Sequence, residues 1–422
     1  MDPGGTVAHG KRVTSPAATD RGASRPGRVA MRRSKGQQDV QADSTADPTA
    51  KRVVALDGLR GLAALMVVLG HSTGAIEIPG LYGRVVLLHS PLAVVLNAIG
   101  AVHLFFVLSG YCLAGSVRRG QHWLDVTQFY VRRVFRIHPP FMVAVVFTWI
   151  LSFSYVIPAP EQGVSREYIG HLGVHVSPAN LLAALRFPGT VGGQLPHGYT
   201  LMVEMIFSFL LPLMMWVSRR SHWSLLLLLS LWTIWSPHTT HAWQRYALDF
   251  TLGIALYQEH DRVARLFAWL PKPAALALLV AGLALFTYPT WAIRMFEWWA
   301  VLPFAVGGSV LVAGAIHSTR LAAILSTRPI AALGRTSYSS YLLHFAVLCW
   351  LTRWIPRQLG VWEGVAFTAL VVACTLLISG ASYRWIERPS IRLGNRICAW
   401  LAGAFGQRAR PSHRFVDDRA PE

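Results

Sequence analysis

The stretch LDGLRGLAALMVVLGHSTG, residues 56–74, is apolar except for Asp57, Arg60 and His71 near its ends. His71 lies eleven positions after Arg60, with ten residues between them. On an α-helix eleven residues turn through about 1100°, which returns the chain to nearly the same face, and rise about 16 Å. Asp57, three residues before Arg60, can pair with it on that face. Ionisable groups inside a bilayer cost several kcal/mol and mark functional positions. A neutral imidazole is suited to proton abstraction near neutral pH, so His71 reads as a general base. The plainer alternative has Arg60 snorkelling to one interface while His71 packs near the other. Gly58, Gly61 and Gly70 remove bulk, so a second helix or a ligand can approach this face.

Five further stretches carry reactive or charged side chains. In HLFFVLSGYCLAG, Ser109, Gly110 and Tyr111 interrupt an apolar helix, either opening space or serving ordinary small-residue helix packing. Ser109 lies outside any GxSxG elbow, which argues against serine-hydrolase chemistry. In YVRRVFRIHPP, Arg133 and Arg136 stand one turn apart, and Pro139 is expected to end that turn. Two permanently charged, bidentate guanidinium groups suit a phosphate-bearing ligand; the alternatives are topology charge or contact with anionic lipid. GYTLMVEMIFSF places Glu204 inside an apolar helix, either paired with a buried cation or used on a substrate. GRTSYSSYLLHF carries Tyr338, Tyr341 and His344, the last two sharing a face. YRWIERP places Glu387 where pairing with an arginine is expected.

The elements that must hold these groups follow from composition. Of 422 residues, 53% are hydrophobic and 14% charged, the balance of a chain dissolved mostly in lipid. Several apolar runs approach the ~20 residues of one helical crossing, and the alternating pattern of an outer-membrane barrel is missing. The expected fold is all-α: a polytopic membrane protein of about ten transmembrane helices. Their expected centres lie near Met66, Val107, Phe147, Leu210, Leu228, Thr251, Leu279, Val306, Phe345 and Val372. Basic residues gather in alternate connections, which puts both termini in the cytoplasm by the positive-inside rule. That placement also turns the net charge of +19 away from nucleic acid.

Residues 1–50, rich in small, polar and charged residues, are expected to be a disordered basic tail, with no signal peptide. Residues 51–390 form the transmembrane domain, and 391–422 an amphipathic segment and tail along the inner surface. The long connection at 159–198 is expected to be an irregular outward-facing lid. Cys112, Cys349, Cys374 and Cys398 share no metal-ligand or CxxC spacing and read as small helix residues.

Taken in order, LDGLRGLAALMVVLGH, LFFVLSGY, RRVFRIHPP, YTLMVE, SYSSYLLH and YRWIERP resemble the membrane acyltransferase family three, over about Val53 to Pro389. Its members O-acylate lipopolysaccharide, peptidoglycan, exopolysaccharides and similar acceptors. The arginine and histidine separated by ten residues are its most specific element. The resemblance implies that His71 is catalytic with Arg60 as its helix partner, and that Arg133 and Arg136 serve the acyl donor. It also puts Glu204 at an acidic position of the site. Many members carry tryptophan, serine and leucine ahead of that acid; this chain has Tyr199, Thr200 and Leu201. Ser109 and Tyr111 are grouped with the donor-binding residues, and Asp57, Tyr338, His344 and Glu387 with the supporting ones. Some relatives add an extracellular hydrolase-like domain, for which the ~35 residues after Pro389 leave no room.

The resulting expectation is a bacterial inner-membrane enzyme with no resident cofactor or metal. Acyl-CoA, most simply acetyl-CoA, enters from the cytoplasm with its phosphates on Arg133 and Arg136. His71 then deprotonates a hydroxyl of a carbohydrate or glycolipid, with Glu204 orienting the imidazole or the acceptor. A covalent intermediate on Ser109 or a tyrosine is compatible but not required. Membrane lipids are the other partner. The rival reading is a transporter or flippase whose buried Arg, His and Glu line a translocation path.

Overall fold

The computed structural model describes residues 48–78, 84–117, 123–155, 163–165, 168, 181–182, 184–185, 195, 197–235, 243–355 and 358–405. The expected N-terminal tail up to residue 47, most of the 159–198 connection and the C-terminal end lie outside the described residues. The helices are α1 (Pro48–Gly74), α2 (Arg84–Leu88), α3 (Ala98–Ala114), α4 (Trp123–Ser152), α5 (Gly198–Arg220), α6 (His222–Trp235) and α7 (Ala247–Gln258). They continue with α8 (His260–Trp269), α9 (Lys272–Trp291), α10 (Val301–His317), α11 (Thr319–Leu325), α12 (Arg328–Thr352), α13 (Val361–Ser382) and α14 (Arg388–Ala404). A π-helical turn, Tyr383–Glu387, joins the last two. Among the described residues, the β structure is an isolated antiparallel bridge between Ile76 and Val164.

All ten expected centres fall within helices. By length and composition, seven helical stretches among the described residues can cross a membrane. Helices α6 and α7, with 14 and 12 residues, are shorter than a full crossing. Helix α12 has 25 residues but carries Arg328, Arg335 and a run of serines and tyrosines, which lowers its hydropathy. Large apolar side chains also cover the outside of the bundle: Leu213, Leu227, Leu276 and Leu377 are 58%, 61%, 60% and 75% exposed. An outer surface as apolar as the core suits lipid rather than water.

The main helix contacts pair α1 with α12, α3 with α7, α9 with α10, α12 with α13, and α14 with α4. Glycine sets two of them. A Cβ on Gly61 would meet the backbone of Leu333 and Gly334, and one on Gly334 would meet the backbone of Asp57 and Gly58. Helices α1 and α12 therefore touch backbone to backbone, and successive contacts advance along both chains together, so the two run parallel. A Cβ on Gly110 would collide with the Phe250 carbonyl, and one on Gly253 with the Val107 carbonyl. Of the two readings of the Ser109–Tyr111 stretch, Gly110 follows helix packing.

Pro139 does not end a helix. Helix α4 runs through Pro139 and Pro140 without interruption. Pro139 lacks the N–H that would reach the carbonyl four residues back, at Phe135. Ser390 Oγ, from α14, donates to that carbonyl at 2.7 Å, and Tyr338 Oη donates to the Ile137 carbonyl at 2.8 Å. Side chains from distant segments thus bond carbonyls beside the proline pair. The amphipathic α14 packs along the first half of α4, burying Gly394 against Phe135 and Cys398 beside Gln128.

Gly334→Val is expected to push α1 and α12 apart at a cost of about 1–3 kcal/mol, lowering the thermal midpoint of the detergent-solubilised protein. Gly380→Ala places its Cβ in open space and should leave the midpoint unchanged or slightly raised. Equal midpoints for the two variants would show that the crossing is looser than drawn here.

Candidate active site

Two polar levels lie along α1. The lower is built around Arg60, whose Nη1 donates to Asp57 Oδ1 at 2.8 Å. Arg60 Nη2 faces the Cys112 Sγ of α3 at 3.7 Å. From α4, Arg133 Nη2 donates to Glu204 Oε1 of α5 at 2.8 Å and to Ser208 Oγ at 2.8 Å. Arg136, one turn further along α4 and half-buried, makes no side-chain hydrogen bond or ion pair among the described residues. It lies in electrostatic reach of Cys112, Tyr338 and Glu387. Ser339 Oγ donates to Glu387 Oε2 at 2.8 Å. Three guanidinium groups and three carboxyl groups from separate parts of the chain thus converge on one level.

Of the two readings of Glu204, pairing with a buried cation is the one seen: its partner is Arg133, which holds α5 to α4 across a partly buried ion pair. One expected pairing differs. Glu387 was expected to pair with an arginine; it accepts from Ser339 instead, with Arg136 and Arg60 supplying compensating charge without ion-pair contact. Both contacts join packed elements, α4 with α5 and α12 with the π-helical turn.

The upper level lies at the end of α1. His71 Nδ1 is hydrogen-bonded to Tyr168 Oη at 2.8 Å. The Ile76–Val164 bridge brings that tyrosine there: Ser165 N donates to the Ala75 carbonyl, Glu77 N to the Gly163 carbonyl, and Tyr168 N to Ser165. Gly163 allows the turn with a positive φ of 66°. From α12, the His344 ring lies 5.2 Å from His71, and the His197 ring, at the cap of α5, lies 4.9 Å from His344. Tyr341 packs edge-on against His197 at 5.1 Å and its Oη meets Thr200 Oγ1 at 2.7 Å. Between the levels, a small, partly open cleft with room for little more than a water molecule lies beside α1, lined by Gly61, Ala64, Val68, Ser340 and Thr375.

Arg60, Asp57, Arg133, Arg136, Glu204, Tyr338 and Glu387 are therefore gathered at the lower level, and His71 and His344 at the upper. Tyr111 is not: its hydroxyl meets His260 Nδ1 of α8 at 3.1 Å and its ring packs near Tyr257. Ser109 is half-buried on α3 and makes no hydrogen bond with either level. Sequence reasoning missed Tyr168 and His197, which reach the site from a connection and a helix cap where no periodicity marks them. It also missed a buried pair away from both levels, His103 Nδ1 with Asp249 Oδ2 at 2.8 Å, which ties α3 to α7. Two ionisable residues on separate apolar helices were its only sequence signal.

Arg133→Ala strands the Glu204 carboxylate and is expected to cost up to about 3–5 kcal/mol. Adding Glu204→Gln should recover most of that loss in thermal midpoint. Losses that simply add would show the two residues act independently.

The family model described as an acyltransferase domain matches residues 53–384. The peptidoglycan O-acetyltransferase OatA of Listeria monocytogenes is 26% identical over 374 residues, covering 80% of this chain and 56% of that protein. The O-acetyltransferase OatA of Staphylococcus aureus is 23% identical over 391 residues, covering 84% and 60%. BcsY of Komagataeibacter xylinus, named as a membrane-bound transacylase, is 27% identical over 368 residues, covering 81% and 83%. The chain thus spans little more than half the length of the two OatA proteins. No solved structure matches it.

Proposed function

Because the chain belongs to the acyltransferase-domain family, we propose that it is a multi-pass membrane O-acetyltransferase acting on a hydroxyl of a cell-envelope carbohydrate. The observation that carries this reading is the position of His71. Its imidazole ends a stripe that begins at Arg60, and it stands at a polar cluster with Tyr168 and His344. In this reading the helices make ten crossings of the bacterial inner membrane, the arginine-rich ends are cytoplasmic, and acetyl-CoA arrives from that side.

Arg136 is the guanidinium left for a donor phosphate, since Arg133 is held by Glu204 and Ser208. The ~16 Å between the Arg60 and His71 levels is comparable to a pantetheine arm. For His71 Nε2 to act as base, Nδ1 must carry hydrogen and donate it to Tyr168 Oη, so the tyrosine holds the productive tautomer. The acceptor oxygen attacks the thioester carbonyl as its proton passes to His71 Nε2. The C–S bond then breaks, the ester is complete, and the imidazolium returns the proton to the coenzyme A thiolate. The carbohydrate acceptor is drawn from the names of the relatives.

Membranes containing the protein should transfer label from radiolabelled acetyl-CoA to envelope glycan. His71→Ala should reduce that transfer at least about 10²-fold while still inserting normally. Tyr168→Phe should lower it about fivefold to tenfold, the value of one hydrogen bond. Near-normal transfer by His71→Ala would remove the assignment, and glycan movement independent of acetyl-CoA would favour a transporter.

A further inference from the structure

His197 and His344 are almost completely buried, at 5% and 1% exposure. Each has one ring nitrogen whose role is set by a backbone carbonyl. His344 Nδ1 lies 2.8 Å from the Tyr341 carbonyl, and His197 Nε2 lies 3.3 Å from the Leu342 carbonyl. A carbonyl oxygen only accepts, so both of these nitrogens must carry hydrogen. The remaining nitrogens, His344 Nε2 and His197 Nδ1, are then bare lone pairs. Both are buried without a hydrogen-bond partner. Leaving a buried acceptor unpaired forfeits its hydration without replacement. Two such atoms occur on adjoining rings, of which that of His344 contacts the His71 ring. Stacking alone explains the rings but not two unmet acceptors.

We propose that His197 and His344 form the acceptor subsite, in which their two lone pairs take hydrogen bonds from hydroxyl groups of the incoming carbohydrate. This rests on the acetyltransferase reading above. A ligand that meets bare nitrogens must bring hydrogen, as a polyhydroxylated acceptor does and a thioester carbonyl does not. In this arrangement the other two histidines define the hydroxyl side of His71. Both nitrogens are closed off in this state, so the acceptor enters as covering side chains move. His344 and His197 thus select for hydroxyl-rich acceptors while His71 performs the proton transfer.

The test exploits the shape of two substitutions. Asn at position 197 keeps an acceptor oxygen where Nδ1 stood, whereas Phe keeps ring volume and removes the lone pair. Gln at position 344 likewise keeps an acceptor where Nε2 stood. Acetyl transfer from radiolabelled acetyl-CoA to O-deacetylated peptidoglycan glycan strands is measured in membranes, with KM for glycan and for acetyl-CoA taken separately. His197→Phe and His344→Phe should raise the glycan KM about tenfold or more and leave the acetyl-CoA KM unchanged. His197→Asn and His344→Gln should recover much of that loss. The opposite order, with Phe near normal and the amides impaired, would show that the rings are packing only and overturn the proposal. Glycan acetylation lost equally in all four variants, with acetyl-CoA KM also altered, would point to a collapsed site and count against it. Absence of transfer by the parent protein would instead remove the acetyltransferase reading, and this subsite with it.

Discussion

The backbone contact between α1 and α12 sets the geometry of everything beyond it. Gly61 and Gly334 touch without side chains between them, and the helices run parallel from that point. His71 lies ten residues past Gly61, and His344 ten residues past Gly334. Equal offsets along parallel helices rise by equal amounts, about 15 Å, which brings the two rings to one level at 5.2 Å. A larger residue at either glycine would separate the axes and, with them, the imidazoles.

Below the histidines the dominating constraint is the cost of charge in an apolar bundle. Asp57 answers Arg60, Glu204 answers Arg133, and Ser339 satisfies Glu387. These contacts also join the helices: α4 to α5 and α12 to the π-helical turn. Arg136 stands apart by making no such bond among the described residues, so its donors are available to a ligand without breaking the scaffold. Away from the site, His103 and Asp249 join α3 and α7 in the same manner.

Much of this was legible in the sequence, for identifiable reasons. The Arg60–His71 stripe follows from helical periodicity alone, and the glycines of α1 announced a close neighbour. Helix positions followed from apolar runs, which a lipid environment makes nearly unambiguous. What escaped depends on contacts between distant segments. Pro139 reads as a stop because local rules govern it, but Ser390, some 250 residues later, bonds the carbonyl it frees. Glu204 reads as paired with a cation or used on a substrate because sequence records its depth in a helix and not its facing neighbour, Arg133. Tyr168 and His197 lie outside the periodic segments, and only the bridge at Ile76 and Val164 and the cap of α5 place them.

The account holds that donor and acceptor meet at His71, the donor along α1 and the acceptor from the side of His197 and His344. A structure of the protein with a non-hydrolysable acetyl-CoA analogue measures this most directly. The account predicts the analogue's carbonyl within reach of His71 Nε2 and its phosphates beside Arg136. An analogue seated against Ser109 and Tyr111, with the histidine level empty, would contradict it.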